Sequence, residues 1–310
     1  MMQRRTFLHA ALGALAAIAL SALAPPAAAQ RLKVVTSTTD LRDIARAVGG
    51  NRISAVNISA GYQDPHFVEA KPSFILQLRN ADVFAYVGLN LEIGWMPLLV
   101  DGARNPKIRP GGTGNVDVSR VIPVLDVARG PVDRSQGDVH PLGNPHYWLD
   151  PGNGKRIAEL FRQKFSELDP AGASAYQRNA QAFNARIDTA ARAWAPDLAK
   201  IRGKPVVAYH TSWRYLVAYT GVNIVGFMEP KPGVPPSPSH VAGLIQTMKR
   251  TGAKVIIMEP FYSRKMVDFV AKNTGAQVLV LPSSVEGVRG VNDYVSLMRY
   301  NIQRIAAAVS

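Results

Sequence analysis

The sequence predicts an α/β protein of two lobes, each with a mainly parallel sheet flanked by helices, joined by one long spine helix. Two observations support this fold class. Short β-branched runs alternate with helical stretches in both halves of the chain, and one continuous helical stretch over residues 171–201 separates the two series. Strands that alternate with helices indicate crossover connections, which join the strands of parallel sheets.

The N-terminal residues predict export. A basic pair at residues 4–5 precedes an apolar run at residues 10–24, which is too short to span a bilayer, and small residues follow at 27–29. We therefore expect residues 1–29 to be a signal peptide that is cleaved after Ala29, which places the mature protein in the periplasm. The basic pair fits both the general secretory route and the twin-arginine route, and both stay open.

Composition narrows the possible chemistry. The 310 residues include no cysteine, so disulfides and thiolate metal sites are excluded, and a metal would need histidine or carboxylate ligands. The formal net charge is +14, but the lysines and arginines are scattered singly with no interleaved aromatic platform. We therefore expect no nucleic-acid partner.

The N-terminal lobe is predicted over residues 30–170. A hydroxyl and carboxylate cluster at residues 37–40 follows the first strand and should cap a helix that runs to about residue 48. Further elements of this lobe are strands at residues 32–36, 53–58 and 83–87 and helices at residues 71–79, 92–103 and 152–168. A loop rich in glycine, proline and aspartate spans residues 128–145.

The connecting helix is assigned to residues 171–202 and the C-terminal lobe to residues 203–310. A helix of that length extends roughly 45 Å, the length of a small domain, so we expect a spine and not a hinge. The strands of this lobe are predicted at residues 205–209, 222–227, 255–258 and 277–281, and the helices at residues 213–220, 239–251 and 263–273 and from residue 293.

Three histidines stand where an α/β lobe places its ligand sites. His66 lies in a loop after a strand, His146 lies between a loop and a helix, and His210 closes a strand before a helix. Ligands of α/β sheets bind at such carboxyl ends of strands. His240, in contrast, is predicted to occupy the first turn of a helix and not to bind a ligand.

Short motifs around these histidines resemble a known family. Asp64-Pro65-His66, the stretch 144–151 (NPHYWLDP) and Tyr209-His210 occur in that order behind an export signal. They resemble the periplasmic zinc- and manganese-binding proteins of ABC importers, the cluster A-I solute-binding proteins. The resemblance extends from about residue 32 to the C-terminus.

The resemblance implies that His66, His146 and His210 are metal ligands. Members with histidine as third ligand generally bind zinc, and imidazole suits Zn²⁺ whereas Mn²⁺ favours carboxylate oxygens. The fourth ligand departs from the family pattern, because no aspartate follows the strand at residues 277–281. Water, Glu259 and Glu69 stay open as the fourth ligand, and Glu259 could instead orient a histidine ring.

The loop before His146 is a candidate metal relay. Many zinc members carry a loop there that is packed with histidine and acid, and this chain has Asp138 and His140. A plain surface loop is the alternative interpretation.

The resulting functional prediction is a periplasmic protein that captures Zn²⁺ and delivers it to the permease of an ABC importer. The same scheme predicts a monomer, no catalytic residue and a possible periplasmic metallochaperone partner. Two alternatives remain: a Mn²⁺- or Fe²⁺-binding protein of the same family, and a zinc-dependent hydrolase with Glu259 as base. No HExxH pair and no GxSxG motif accompanies the histidines, which argues against the hydrolase.

Overall fold

Two parallel sheets carry the fold in the computed structural model, which describes residues 31–128, 130, 137 and 139–310. The strands are β1 (Leu32–Thr36), β2 (Ile53–Asn57), β3 (Val83–Tyr86), β4 (Asn115–Asp117), β5 (Pro205–Ala208), β6 (Asn223–Phe227), β7 (Val255–Met258) and β8 (Gln277–Val280). The order is β2-β1-β3-β4 in the first sheet and β6-β5-β7-β8 in the second, and all pairs are parallel. The predicted α/β class is confirmed.

Helices connect the strands and often begin at side-chain caps. They are α1 (Thr39–Gly49), α2 (Pro72–Arg79), α3 (Met96–Ala103), α4 (Pro151–Leu168), α5 (Ala173–Ile201), α6 (Arg214–Thr220), α7 (Pro238–Thr251), α8 (Arg264–Thr274) and α9 (Tyr294–Val309). At five helix starts, the side-chain oxygen of the cap residue accepts a hydrogen bond from a backbone N–H group of the first turn. The five cap residues are Thr38, Asp150, Ser237, Ser263 and Asp293. Within the described part of the chain, no helix is long and apolar enough to cross a bilayer.

Two details differ from the sequence-based assignment. The helix predicted over residues 92–103 begins only at Met96, because residues 89–95 form turns. The buried Glu92 stabilises these turns by accepting hydrogen bonds from the N–H groups of Val87 and Gly88. The strand β4 was not predicted, since three residues are too few to show a periodicity.

A continuous hydrophobic core lies beneath both sheets. It includes Val34 and Val83 from the first sheet and Val206 and Ile257 from the second, together with the buried stripe of α5. Separate clusters cover the outer face of each sheet, as expected for parallel sheets, which bury both faces. The predicted lobes each hold one sheet, yet Leu32–Ser310 form one compact unit because the core between them is shared.

The loop around His146 is held by side chains from several elements. Tyr147 donates its hydroxyl to the Val87 carbonyl at 2.7 Å, and Trp148 donates its indole N–H to the Ser283 carbonyl at 2.7 Å. The buried Tyr294 of α9 donates its hydroxyl to the carbonyl of Trp148 and lies 2.9 Å from that of Asp150. These bonds tie the loop to the residue that follows β3 and to two positions in the C-terminal part of the chain.

We predict that Tyr294→Phe lowers the free energy of unfolding by about 1–3 kcal/mol, because it leaves buried carbonyl groups without a donor. Tyr300→Phe on the same helix is the matched control, since the Tyr300 side chain is only partly buried. Denaturant unfolding of the metal-free proteins measures both changes. Equal stability of the two variants would contradict the role given to the Tyr294 hydroxyl.

Candidate metal centre

Three histidines from distant parts of the chain meet in one buried cluster. His66, His146 and His210 each offer one ring nitrogen, and these atoms lie within 4.8 Å of one another. The ring centroids of His66 and His146 are 5.3 Å apart, and the His210 centroid lies 5.6 Å from each of them. All three residues are at most 9% exposed. The three rings are therefore close enough to share one ion.

Strand ends and short helical turns position the rings. His210 follows β5, the strand at which the order of the second sheet reverses, and such switch points are where α/β sheets bind ligands. His146 begins a 3-10 turn ahead of α4. His66 lies in the turn region after β2, where the buried Trp95 donates its indole N–H to the Pro65 carbonyl at 3.0 Å. Each ring thus sits on anchored backbone.

Carboxylates orient two of the rings. His66 Nδ1 lies 2.6 Å from Asp64 Oδ1, and His210 Nδ1 lies 2.7 Å from Glu229 Oε2. A carboxylate accepts, so in each neutral ring Nδ1 carries the hydrogen and Nε2 carries the lone pair. His210 Nε2 is buried and has no hydrogen-bond partner among the described residues. This is the arrangement in which a histidine binds a metal through Nε2.

An amide orients the third ring. His146 Nδ1 lies 3.1 Å from Asn144 Oδ1. The Asn144 amide nitrogen donates to the Thr211 carbonyl at 3.0 Å, which fixes the amide orientation so that its oxygen faces His146. Asn144 therefore joins the His146 loop to the residue that follows His210.

The three orienting residues were not identified from the sequence. Asp64 and Asn144 each stand two residues before a histidine, with proline between them, and this repeated spacing was a signal that could have found them. Glu229 lies 19 residues after His210, and no local pattern links the two. Only the folding of the second sheet brings that carboxylate to the ring.

Burial and neighbouring groups shift the pKa values of two residues at the cluster, His146 and Asp64. Burial lowers the pKa of His146 well below the usual value, and the neighbouring His66 and His210 rings lower it further. Burial alone would raise the pKa of Asp64, but the hydrogen bond and the charge of His66 outweigh it and lower that pKa. The centre therefore combines a neutral His146 ring with an ionised Asp64 carboxylate at neutral pH.

Glu259 directly follows β7 and is buried, but it does not belong to the cluster of three ring nitrogens. Its side chain is 0% exposed, and both carboxylate oxygens lack a hydrogen-bond partner among the described residues. Burial raises its pKa to about 8, and the nearby Ser212 side chain opposes that rise without meeting hydrogen-bond geometry. In the metal-free protein this carboxyl group is therefore mainly protonated at neutral pH.

Glu69 lies at the surface. Its side chain is 83% exposed, 3.9 Å from the Lys71 ammonium, and it lines a cavity of about 640 Å³ that His66 and His140 also border. The structure thus places Glu69 in the mouth of the cavity and not with the three ring nitrogens.

The candidate relay loop is described only in part. Asp138 lies outside the described residues, whereas His140 Nε2 lies 3.0 Å from His66 Nε2. Burial lowers the pKa of His140 to about 3, and the charge of His66 adds to that effect. His240 is in the first turn of α7, where its Nε2 lies 2.9 Å from the Phe227 carbonyl oxygen.

Comparison with known proteins identifies similar chains. The family described as "ZnuA: Zinc-uptake complex component A periplasmic" matches residues 34–308. The manganese-binding lipoprotein MntA of Halalkalibacterium halodurans is 27% identical over 90% of this chain and 89% of its own length. The zinc-binding lipoprotein AdcA of Streptococcus pneumoniae is 24% identical over 89% of this chain, which spans only 55% of AdcA.

Solved structures share the fold. A crystal structure of ZnuA superposes with a TM-score of 0.73 at 23% identity and covers 91% of this chain and 100% of its own. A manganese-bound periplasmic metal-binding protein from candidatus liberibacter asiaticus gives a TM-score of 0.74 at 22% identity, with the same coverage of both chains. The arrangement of the two parallel sheets is thus shared with these solved structures.

Glu229→Gln is predicted to weaken Zn²⁺ binding by about 10- to 100-fold, because the carboxylate that orients His210 and raises its basicity is replaced by a neutral amide. Glu159→Gln, on the surface of α4, is the matched control. Competition titration against a zinc chelator measures both affinities. Wild-type affinity in Glu229→Gln would show that this contact does not tune the site.

His146 is predicted to stay neutral in the folded, metal-free protein as the pH falls from 7.5 through 6.5, because burial and the neighbouring His66 and His210 rings lower its pKa. Its folded pKa lies below the unfolded value near 6.5, so the unfolded chain takes up the proton first as the pH falls. This residue therefore destabilises the fold as the pH drops through about 6.5. NMR of the His146 ring measures its protonation, and a midpoint near 6.5 would contradict the burial argument.

Proposed function

The chain belongs to the ZnuA family of periplasmic metal-uptake proteins, and from that membership we propose that it captures Zn²⁺ through His66, His146 and His210. Members of this family are metal-binding, substrate-binding proteins of ABC importers and are not enzymes. The membrane permease of such an importer is therefore the partner of this chain. Zinc as the cargo and the three histidines as its ligands are the proposal.

The ligand chemistry supports zinc. The three converging groups are imidazoles, which are borderline ligands that suit Zn²⁺, whereas Mn²⁺ prefers carboxylate and other oxygen ligands. The two carboxylates nearest to the rings, Asp64 and Glu229, accept hydrogen bonds from ring Nδ1 atoms and so act through the histidines. The single observation that carries the proposal is this set of three ring nitrogens within 4.8 Å.

Capture and release follow from the same geometry. His66 and His146 come from the first half of the chain and His210 from the second, so one ion would link the two halves. Acidification should weaken binding, because each imidazole must be neutral to bind the metal. The shared core and the spine helix α5 favour movement of loops over rotation of whole lobes on metal release.

We propose that the signal peptide is cleaved after Ala29 and that the mature protein binds and delivers its metal in the periplasm. We also propose that the protein acts as a monomer, and that a periplasmic metallochaperone could supply its metal. The relatives named above are lipoproteins, whereas this sequence contains no cysteine.

Manganese is the competing cargo. The relatives include the manganese-binding MntA and the S. pneumoniae manganese ABC transporter substrate-binding lipoprotein PsaA, which is 26% identical over 91% of this chain. Fe²⁺ is the other alternative cargo. The affinities of the purified wild-type protein for Zn²⁺ and Mn²⁺ distinguish these cargoes.

Replacing any one of His66, His146 and His210 with alanine should remove most zinc binding, because two ring nitrogens cannot complete the tetrahedral shell that zinc prefers. His240→Ala is the matched control, since that ring contacts the Phe227 carbonyl instead of the cluster. Metal analysis of the purified proteins and competition between Zn²⁺ and Mn²⁺ give the result. Tighter binding of Mn²⁺ than of Zn²⁺ by the wild type would overturn zinc as the cargo.

A further inference from the structure

His140 faces the cluster with a nitrogen that lacks a hydrogen. Its Nδ1 lies 3.1 Å from the Leu89 carbonyl oxygen, an acceptor, so in the neutral ring Nδ1 carries the hydrogen and Nε2 carries the lone pair. His66 has the same form, because its Nδ1 donates to Asp64. The two Nε2 atoms are nevertheless only 3.0 Å apart.

Two lone pairs at that distance repel unless a cation lies between them. The cation can be a proton shared by the two rings or a metal ion bound by both. Zinc–nitrogen bonds of about 2.0–2.1 Å in a tetrahedron place two ligand nitrogens roughly 3.3 Å apart. The observed separation of 3.0 Å between His66 and His140 is close to that value.

A strained turn presents the carbonyl group that orients His140. Gly88, Leu89 and Asn90 have φ angles of +79°, +52° and +67°, and a branched residue such as Leu89 rarely adopts this left-handed region. For Leu89 such a conformation is strained and persists only where the surroundings impose it. The turn exposes the Leu89 oxygen to His140 Nδ1.

Glu92 holds that turn in place. Its buried carboxyl group accepts from the N–H groups of Val87 at 2.7 Å and Gly88 at 3.0 Å, directly before the strained residues. The backbone at the end of β3 is thus fixed at the position where it sets the tautomer of His140.

We propose that His140 is the fourth ligand, and that it closes an all-imidazole shell around the ion held by His66, His146 and His210. The inference rests on the proposed function of the three other rings. The His140 centroid is 6.5 Å from that of His146, which is farther than the 5.3–5.6 Å within the trio, so His140 moves inward when the metal binds.

A fourth imidazole makes the site selective. Four nitrogen donors and no carboxylate favour Zn²⁺ over Mn²⁺, which prefers oxygen ligands. His140 borders the same cavity as His66 but is only partly buried, whereas the other three histidines are at most 9% exposed, so it is the most accessible of the four rings. The carboxylate that other members use is then not required here.

The test compares the mature wild-type protein with His140→Gln, with His66→Gln as the ligand control. His240→Gln is the matched control outside the cluster, since His240 is also partly buried and its ring contacts the Phe227 carbonyl. We expect zinc X-ray absorption spectra to show four imidazoles in the wild type and in His240→Gln, and three in His140→Gln. Competition titration should show zinc affinity about 10- to 100-fold weaker in His140→Gln. The Mn²⁺ affinity should change much less, so the ratio of the two affinities falls.

The outcomes separate the two claims. If His66→Gln loses zinc while His140→Gln keeps wild-type affinity and an unchanged imidazole count, His140 is not a ligand and the proposed function stands. If His66→Gln binds zinc as tightly as the wild type, the proposed function itself fails. His140→Asp provides a second check, because an oxygen ligand at this position should raise the affinity for Mn²⁺ relative to that for Zn²⁺.

Discussion

The structure depends on one constraint: buried histidines must present their lone pairs to a common point. A ring achieves this only if its other nitrogen has an acceptor, and Asp64, Asn144 and Glu229 supply the three acceptors. Two of these partners are carboxylates and one is an amide. The negative charge therefore lies on the Nδ1 side of the rings and not at the point where the three Nε2 atoms converge. That arrangement would favour a cation bound by ring nitrogens alone, as in the proposed function.

The fold brings the rings together because the carboxyl ends of parallel strands lie at the same edge of a sheet. β5 delivers His210 at the reversal point of the second sheet, and the loop that carries His146 is locked by hydrogen bonds from Trp148 and Tyr294 to distant segments. The core beneath both sheets is continuous, so the three histidines from the two halves of the chain rest on one packed body. If they bind one ion as proposed, little movement of the two sheets is needed to gather them.

The sequence predicted the elements and the three histidines because those signals are local. Strand runs, helix caps and the Asx-Pro-His spacing are readable within a few residues, and the order of the motifs carried the family resemblance. Contacts across long separations could not be predicted: Glu229 reaches His210 only through the pairing of β5 with β6. The sequence predicted His140 only as a possible metal-relay residue, with a plain surface loop as the alternative. It does not show that Leu89 adopts a left-handed backbone and points its carbonyl group at the ring.

The central claim concerns which ring nitrogens bind the ion. A crystal structure of the zinc-loaded protein, with anomalous diffraction recorded on both sides of the zinc absorption edge, locates the ion and its ligands together. The account predicts a single peak about 2.0–2.1 Å from Nε2 of His66, His146 and His210, with the Nδ1 contacts to Asp64, Asn144 and Glu229 retained. A peak away from these rings, or coordination through Nδ1, would contradict it.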